Sequence, residues 1–280
     1  MKTIKMGIEI TNPQRIIYEN QKITKLDVIN YYERVAPLML PYIQNRLLSV
    51  IRCHNGIKGG SFFKKHPSIT HEEIKTFKKD GEIYYYLTSK KGIILEAQLG
   101  TIEFHTGGSN IKNIEKPNVM VFDLDPDEKL PLKNLQNGVI LLKNLLDELK
   151  LKSYLKTSGG KGYHIVVPFS RCSSYKTFSE FAKNIALILE AKHKDIFTTN
   201  IRKKERNGKI FIDYLRNDNG STCVAPYSLR ARENAGISFP IPWNNLNKVA
   251  PSQITIKNVN LFLKKANPWH DFFETRQHIK

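Results

Sequence analysis

The chain has 280 residues, 40% hydrophobic and 25% charged, enough for a well-buried core in one large domain or two modest lobes. Lysine and arginine number 44 against 26 acids, a net charge of +18 with a pI near 9.7, which points to polyanionic partners, nucleic acid first, although a lysine-rich solubilising surface has the same sign. Cys53, Cys172 and Cys223 are scattered and never spaced as CxxC, the N-terminus has no apolar signal core, and no apolar run spans a bilayer. These features argue against a disulfide framework, a structural zinc site, secretion and membrane insertion, and imply a soluble protein of the reducing cytoplasm.

Thr24 to Ala36 reads as a helix capped by Thr24, with Asp27 placed to complete a capping box and Pro37 and Pro41 expected to break it. A strand is expected over Leu47 to Cys53, then a Gly- and Lys-rich loop from Gly56 to Gly60. Ile83 to Leu87, Gly92 to Glu96 and Thr101 to His105 suggest three further strands. Val119 to Asp123 is a short apolar strand ended by Pro126, and Val139 to Leu149 has helical leucine spacing. Tyr154 to Lys156 and His164 to Val167 are strands joined by a glycine-rich turn. Phe178 to Leu189 is an amphipathic helix, Ile210 to Leu215 a strand, and a last helix lies near Val259 to Lys265. The pattern predicts an α+β fold of mixed sheets flanked by helices, with the site on the central sheet. No composition shift marks a boundary, so residues 1–280 are expected to form one domain.

The run from Val119 ends in Asp123-Leu-Asp125-Pro. Side chains two apart on a strand share a face, so both carboxylates should converge, and like charges so placed call for a cation between them. A turn beginning at Asp125 is the simpler account, but it does not explain an aspartate inside an apolar run. Asp213 sits in a second apolar strand, where an unpaired charge costs several kcal/mol, so it needs either a metal or an ion pair with Arg216 or Arg230. Three strand-borne aspartates match the demand of two-metal phosphoryl transfer, with ions about 3.5–4 Å apart.

Thr157-Ser-Gly-Gly-Lys-Gly-Tyr-His164 joins two strands. Taken alone it is a Gly-rich hairpin turn. Between two aspartate strands it can cradle a triphosphate, with free amides at Gly159, Gly160 and Gly162, the charge of Lys161, and donors on Ser158 and His164. Arg230 and Arg232 suit bidentate phosphate binding or structural ion pairs equally. His105 ends another strand. Phe62 and Phe63, followed by Lys64 and Lys65, read either as core residues or as a base-stacking platform beside phosphate-binding lysines. From a strand, at most one of the two rings should face solvent.

In order and spacing, Thr11-Asn-Pro-Gln-Arg15, Thr24-Lys-Leu-Asp27, Tyr31-Tyr-Glu-Arg34, Phe62-Phe-Lys-Lys-His66, Leu99-Gly-Thr-Ile-Glu-Phe-His105, Phe122-Asp-Leu-Asp-Pro126, the 157–164 turn, Asp213-Tyr-Leu-Arg-Asn217 and Ala225-Pro-Tyr-Ser-Leu-Arg-Ala-Arg232 resemble one family. It is the polymerase domain of bacterial ligase D and its archaeal stand-alone relatives, in the archaeo-eukaryotic primase superfamily. The resemblance runs through Pro268-Trp269. It implies a primase-like fold and a template-directed nucleotidyltransferase, a polymerase or primase that fills DNA gaps and break ends in repair by non-homologous end joining, preferring ribonucleotides. By that pattern Asp123, Asp125 and Asp213 hold two divalent ions, manganese favoured over magnesium. Ser158, Lys161, His164, Arg230 and Arg232 bind the triphosphate, and His105 lies near its sugar. Phe62 or Phe63 stacks on template, with Lys64 and Lys65 beside it on DNA. Arg15 and Lys25, in an N-terminal subregion over residues 1–60, form a pocket for a 5′-phosphate. Arginine stands at 15 where the family commonly has lysine, which keeps the charge and alters the hydrogen-bond geometry. Ku and an ATP-dependent DNA ligase are the implied partners, the ligase lying on a separate chain or elsewhere in a longer protein, and the nucleoid is the implied setting.

Two other readings compete. A strand-Asp-x-Asp also opens haloacid-dehalogenase-like phosphatases, but Asp127 stands at the position that usually holds Thr or Val there, and the motif comes late in the chain. A non-catalytic nucleic-acid-binding module would leave three acids to oppose polyanion binding.

Overall fold

The alternation along Val119–Pro126 sorts its side chains between two environments. Met120, Phe122 and Leu124 are fully buried, whereas Asp123 and Asp125 keep partial access to solvent. The computed structural model describes residues 2–170 and 173–279, so Cys172 lies outside the described residues. This strand is third in a six-stranded sheet ordered Phe197–Thr198, Ile210–Asp213, Val119–Pro126, Tyr163–Pro168, Tyr154–Thr157, Pro240–Ile241. Every neighbouring pair is antiparallel except the first. A second, wholly antiparallel sheet runs Cys223–Val224, Thr101–Thr106, Leu48–Arg52, Phe62–Lys64.

Helix α1 spans Lys25–Ile43, α2 Lys90–Gln98, α3 Leu132–Glu148 and α4 Tyr175–Lys192. Helices α3 and α4 touch each other and the large sheet, while α1 and α2 pack together and α2 lies on the Thr101–Thr106 strand. One continuous set of buried apolar side chains draws on both sheets and all four helices. Cys53 and Cys223 are buried free thiols. Among the described residues no helix is long and apolar enough to cross a membrane.

Three expectations need correction. Helix α1 does not break at its prolines but runs through Pro37 and Pro41 to Ile43. Its capping box is complete, since Thr24 Oγ1 accepts from Asp27 N at 3.1 Å and Asp27 Oδ2 accepts from Thr24 N at 2.8 Å. Val28, Ile29, Tyr32, Val35, Ala36, Met39 and Ile43 bury one face, and that burial outweighs a proline penalty of about 3 kcal/mol each. Gly92–Glu96 is helical, not a strand. A short apolar run fits either, and Ser89, whose hydroxyl accepts from Gly92 N at 3.0 Å, starts a helix that buries Ile93, Ile94 and Leu95. Third, both Phe62 and Phe63 are exposed, at 43% and 52%, because they sit on an edge strand with neither face covered. The final helix is a single turn, Asn260–Leu263, and Lys75–Lys79, not anticipated, pairs with Glu82–Tyr86 in a separate hairpin.

Pro37 points to solvent, so its cost is mainly the missing backbone bond to Glu33. Pro37→Ala is therefore expected to stabilise the protein by about 1–3 kcal/mol, after allowance for the greater freedom of the unfolded chain. An unchanged or lower urea midpoint would show that the helix bends to fit the ring without cost.

Candidate active site

One row of ionisable side chains crosses the large sheet. Asp213 pairs with Asp123, Asp123 with His164, and His164 with Lys156, and directly opposed residues share a face. Asp125, two positions along from Asp123, falls on that face as well. Val121, Val166, Lys156 and Arg216 on this side approach Cys223 and Val224 of the small sheet, so the row lies between the sheets.

Asp123 Oδ1 lies 3.2 Å from His164 Nε2. His164 is 2% exposed, and its Nδ1 meets Lys156 Nζ at 2.8 Å and Cys223 Sγ at 3.2 Å. Lys156, equally buried, also donates to Ser238 Oγ at 2.6 Å. Burial works against the Asp123 carboxylate, but His164, Arg216 and Lys156 hold its pKa well below the usual range. Burial also opposes the His164 cation, yet the Asp123 charge beside it raises the imidazole pKa. Lys156 is pushed down to about 8, chiefly by burial.

The other two carboxylates meet arginines. Arg206 Nη1 donates to Asp125 Oδ2 at 2.8 Å, and the guanidinium lies 4.2 Å from the Phe211 ring centre. Arg216 Nε lies 2.9 Å from Asp213 Oδ2, the ion pair weighed from sequence, and Leu215 N donates to Asp213 Oδ1 at 3.1 Å. The Arg216 side chain is 44% exposed, so this pair is wet rather than sealed. Burial raises the Asp213 pKa, with the Asp123 charge adding to it and Arg216 opposing. Each acid thus answers a separate cation. Among the described residues no three His, Cys, Asp or Glu side chains stand in metal-holding geometry. The donor set nonetheless has the composition for a divalent ion: three acids on one face, two of them paired with arginines.

The glycine turn departs from a cradle of free amides. Gly160 N and Gly162 N both donate to Ser158 Oγ at 3.1 Å. Gly162 is needed for contact instead, since a Cβ there would sit 2.1 Å from the Leu124 carbonyl oxygen, on the strand that bears Asp123. Ser158 is buried, while Lys161 at the tip is exposed, 2.7 Å from Glu128. Arg232 is exposed beside Gly160 and lines an open cleft of about 410 Å³ with Asp125, Lys161, Lys203, Lys204 and Arg206. His164, also expected at the triphosphate, is buried beside Asp123.

Arg230 is held from several sides. Its Nε bonds Glu103 Oε2 at 2.9 Å and its Nη1 donates to Ser158 O at 2.7 Å. Tyrosine hydroxyls fix the backbone around it, Tyr18 donating to Arg230 O at 2.9 Å and Tyr31 to Tyr227 O at 2.6 Å, while Tyr32 accepts from Leu229 N at 3.0 Å. These bonds support Tyr227 at φ +67°, a left-handed conformation unfavourable for a bulky residue. His105 points its Nε2 at the same Glu103 carboxylate, 2.9 Å away.

Farther along the surface, Lys25 N donates to Arg15 O at 2.8 Å, Lys25 Nζ to Thr11 O at 2.9 Å, and Arg15 Nη1 to His54 O at 2.7 Å. Burial, with the Arg15 charge, lowers Lys25 to about 8. Phe62 lies 5.2 Å from the His54 ring, and Lys65 stands 5.8 Å over Phe63, with Lys64 on the same edge strand. The sequence reading missed Glu103, Lys156, Arg206 and Cys223. Only Glu103 carried a usable signal, as it sits two positions from His105 on one strand.

A family model described as "LigD, primase-polymerase domain" matches residues 24–269. The Multifunctional non-homologous end joining protein LigD of Pseudomonas aeruginosa is 35% identical over 283 residues, 98% of this chain and 34% of that protein. The Bifunctional non-homologous end joining protein LigD of Bacillus subtilis is 30% identical over 280 residues, covering 99% and 46%. The chain therefore spans between a third and a half of the curated relatives it matches. The polymerase domain from Mycobacterium tuberculosis ligase D, solved in complex with DNA, superimposes with a TM-score of 0.87 at 27% identity, covering 96% of this chain and 98% of that one. That match places the two sheets and their flanking helices in the expected α+β primase-like class. The chain belongs to the LigD primase-polymerase domain family and is a nucleotidyltransferase.

Proposed function

We propose that this nucleotidyltransferase extends primer 3′ ends on a DNA template at gaps and double-strand breaks, in the service of non-homologous end joining. The observation that carries this reading is the placement of Asp123, Asp125 and Asp213 on one sheet face, beside the Ser158–Gly162 turn and Arg230. The names of the relatives support the end-joining role, and Ku and an ATP-dependent ligase are the corresponding partners.

In this reading the three carboxylates hold two divalent ions, manganese favoured, which when bound supply Lewis-acid assistance to phosphoryl transfer. Arg206 and Arg216 pair with Asp125 and Asp213, and these are the contacts that arriving ions displace, at the half-exposed Arg216 and at the wall of the open cleft that Arg206 lines. Lys161, Arg230 and Arg232 orient the triphosphate and take up charge as it moves to the leaving pyrophosphate, with Ser158 donating its remaining hydroxyl proton. His164 fixes Asp123 from behind. The exposed Phe62 and Phe63 stack on template bases, Lys64 and Lys65 meet backbone phosphates, and ribonucleotides are preferred.

Asp213→Ala should cut primer extension by about three orders of magnitude or more, since several kcal/mol of transition-state stabilisation go with that carboxylate. Binding to 5′-phosphorylated gapped DNA should persist. Extension at the wild-type rate would remove Asp213 from the site. Gly162→Ala should lower both activity and melting temperature, because the added carbon collides with backbone rather than with a yielding side chain.

Arg15 and Lys25 form the 5′-phosphate pocket. A phosphate favours the protonated lysine, so affinity for 5′-phosphorylated gaps, level from about pH 7, where the phosphate is a dianion, to about pH 8, should fall above that as Lys25 loses its charge. Lys25→Ala should weaken the preference for phosphorylated over unphosphorylated gaps and abolish that pH dependence, with extension of plain primer-templates largely kept. Equal loss on both substrates would count against the pocket.

A further inference from the structure

Glu103 is 3% exposed and serves three donors at once. Its Oε2 takes His105 Nε2 and Arg230 Nε, each at 2.9 Å, and its Oε1 accepts from Ala231 N at 2.8 Å. Burial alone would raise its pKa, but His105, Arg230 and the Ala231 amide together hold it at about 2. It is therefore an acceptor with no proton to give. His105 must then present N–H at Nε2. Burial pushes the His105 pKa below its ordinary value despite the neighbouring carboxylate, so the ring is neutral at neutral pH. A neutral imidazole protonated at Nε2 has a bare lone pair at Nδ1. The side chain remains 15% exposed, unlike the carboxylate behind it, and the Phe63 ring stands edge-on 6.4 Å away.

We propose that Glu103 is a positioning residue that fixes His105 as the Nε2–H tautomer, so that Nδ1 accepts a hydrogen bond from a sugar hydroxyl of the incoming nucleotide. The inference rests on the nucleotide site proposed above. An acceptor recognises only a group with a hydrogen to give. Triphosphate oxygens have none at neutral pH, and a base amino group is absent from uracil and thymine, so a template-directed enzyme gains nothing from depending on one. Sugar hydroxyls are common to all four nucleotides. The same carboxylate anchors Arg230, whose second nitrogen holds the Ser158 carbonyl at the glycine turn, so the sugar-reading and phosphate-reading side chains share one rigid support.

Glu103→Gln replaces an obligate acceptor with a group that can donate to Nε2, which frees His105 to carry its proton on Nδ1. The test pairs nitrogen-15 NMR of histidine-labelled, metal-free protein with single-turnover incorporation of ribo-, 2′-deoxy- and 2′,3′-dideoxynucleoside triphosphates. Wild type should show His105 protonated at Nε2, and Glu103→Gln should lose that single-tautomer signature. The variant should lose about three- to tenfold more efficiency with hydroxyl-bearing nucleotides than with the dideoxy form. A selective loss on ribonucleotides alone assigns the 2′-hydroxyl, and an equal loss on ribo- and deoxynucleotides assigns the 3′-hydroxyl. His105→Ala should give the same selective loss with the Arg230 pair intact, and the double variant no further loss of selectivity. A uniform loss on all three nucleotides, or a wild-type proton on Nδ1, overturns the proposal. If Glu103→Gln fails to fold, the wild-type spectrum and His105→Ala decide it. A wild-type protein that incorporates no nucleotide refutes the polymerase reading, while the tautomer is still read from the spectrum.

Discussion

A file of charges set between two packed sheets persists only while each charge is answered. Asp213, Asp123, His164 and Lys156 lie side by side because antiparallel pairing aligns them, and register leaves no freedom to separate them. Breaking one partner out of such a buried set typically costs about 3–5 kcal/mol, because the survivor stays desolvated. The local chain reflects that demand. Cys223 and Ser238 are polar where apolar residues would pack as well, and each meets the row, one at His164 and the other at Lys156.

The inner and outer parts of the row differ. His164 and Lys156 are buried and meet each other, and His164 in turn holds Asp123, whose side chain keeps some access to solvent. Asp125 and Asp213 are held by Arg206 and Arg216, and each of those ion pairs has one member substantially open to solvent. Pairs open to water on one side exchange more readily than sealed ones. On the proposed reading, the fixed carboxylate sets the geometry and the two exchangeable ones adapt to what arrives. Their arginines meanwhile prevent the repulsion that three adjacent acids would otherwise suffer.

Most of the fold was legible in period-2 and helical patterns, and the failures have distinct physical causes. At Gly92–Glu96 the apolar run was too short to distinguish a buried helix from a strand, and the deciding signal was a cap at Ser89, outside the run. At Pro37 and Pro41 local propensity lost to the tertiary burial of seven side chains on the opposite face of α1. The exposure of both Phe62 and Phe63 depends on which strand forms the sheet edge, a fact of topology that no local pattern contains. The aspartates were visible because charge inside an apolar strand is costly wherever it occurs. Of the groups that answer them, Arg216 was weighed as a partner of Asp213, but Lys156, Arg206 and Cys223 were not, since they reach the row from other strands or loops. Nor could the sequence tell that Ser158 occupies two amides of its own turn, which on the proposed reading leaves phosphate contact to side chains.

Tertiary wiring adds a relation between two sites that are far apart in the chain. Helix α1 opens at Lys25, in the pocket proposed for the 5′-phosphate, and its Tyr31 and Tyr32 bond the backbone at Tyr227 and Leu229. Tyr18, three residues after Arg15, bonds the carbonyl of Arg230 itself. Buried hydroxyls with satisfied partners resist displacement, because leaving the opposing backbone group unpaired costs more than the bond contributes. The pocket at one end of α1 and the guanidinium of Arg230 are thus parts of one rigid frame rather than two sites joined by loops. On the proposed reading, an enzyme built this way holds the far side of a gap and the incoming nucleotide at a set separation. Tyr227 remains in its strained conformation because three hydroxyls fix the segment around it.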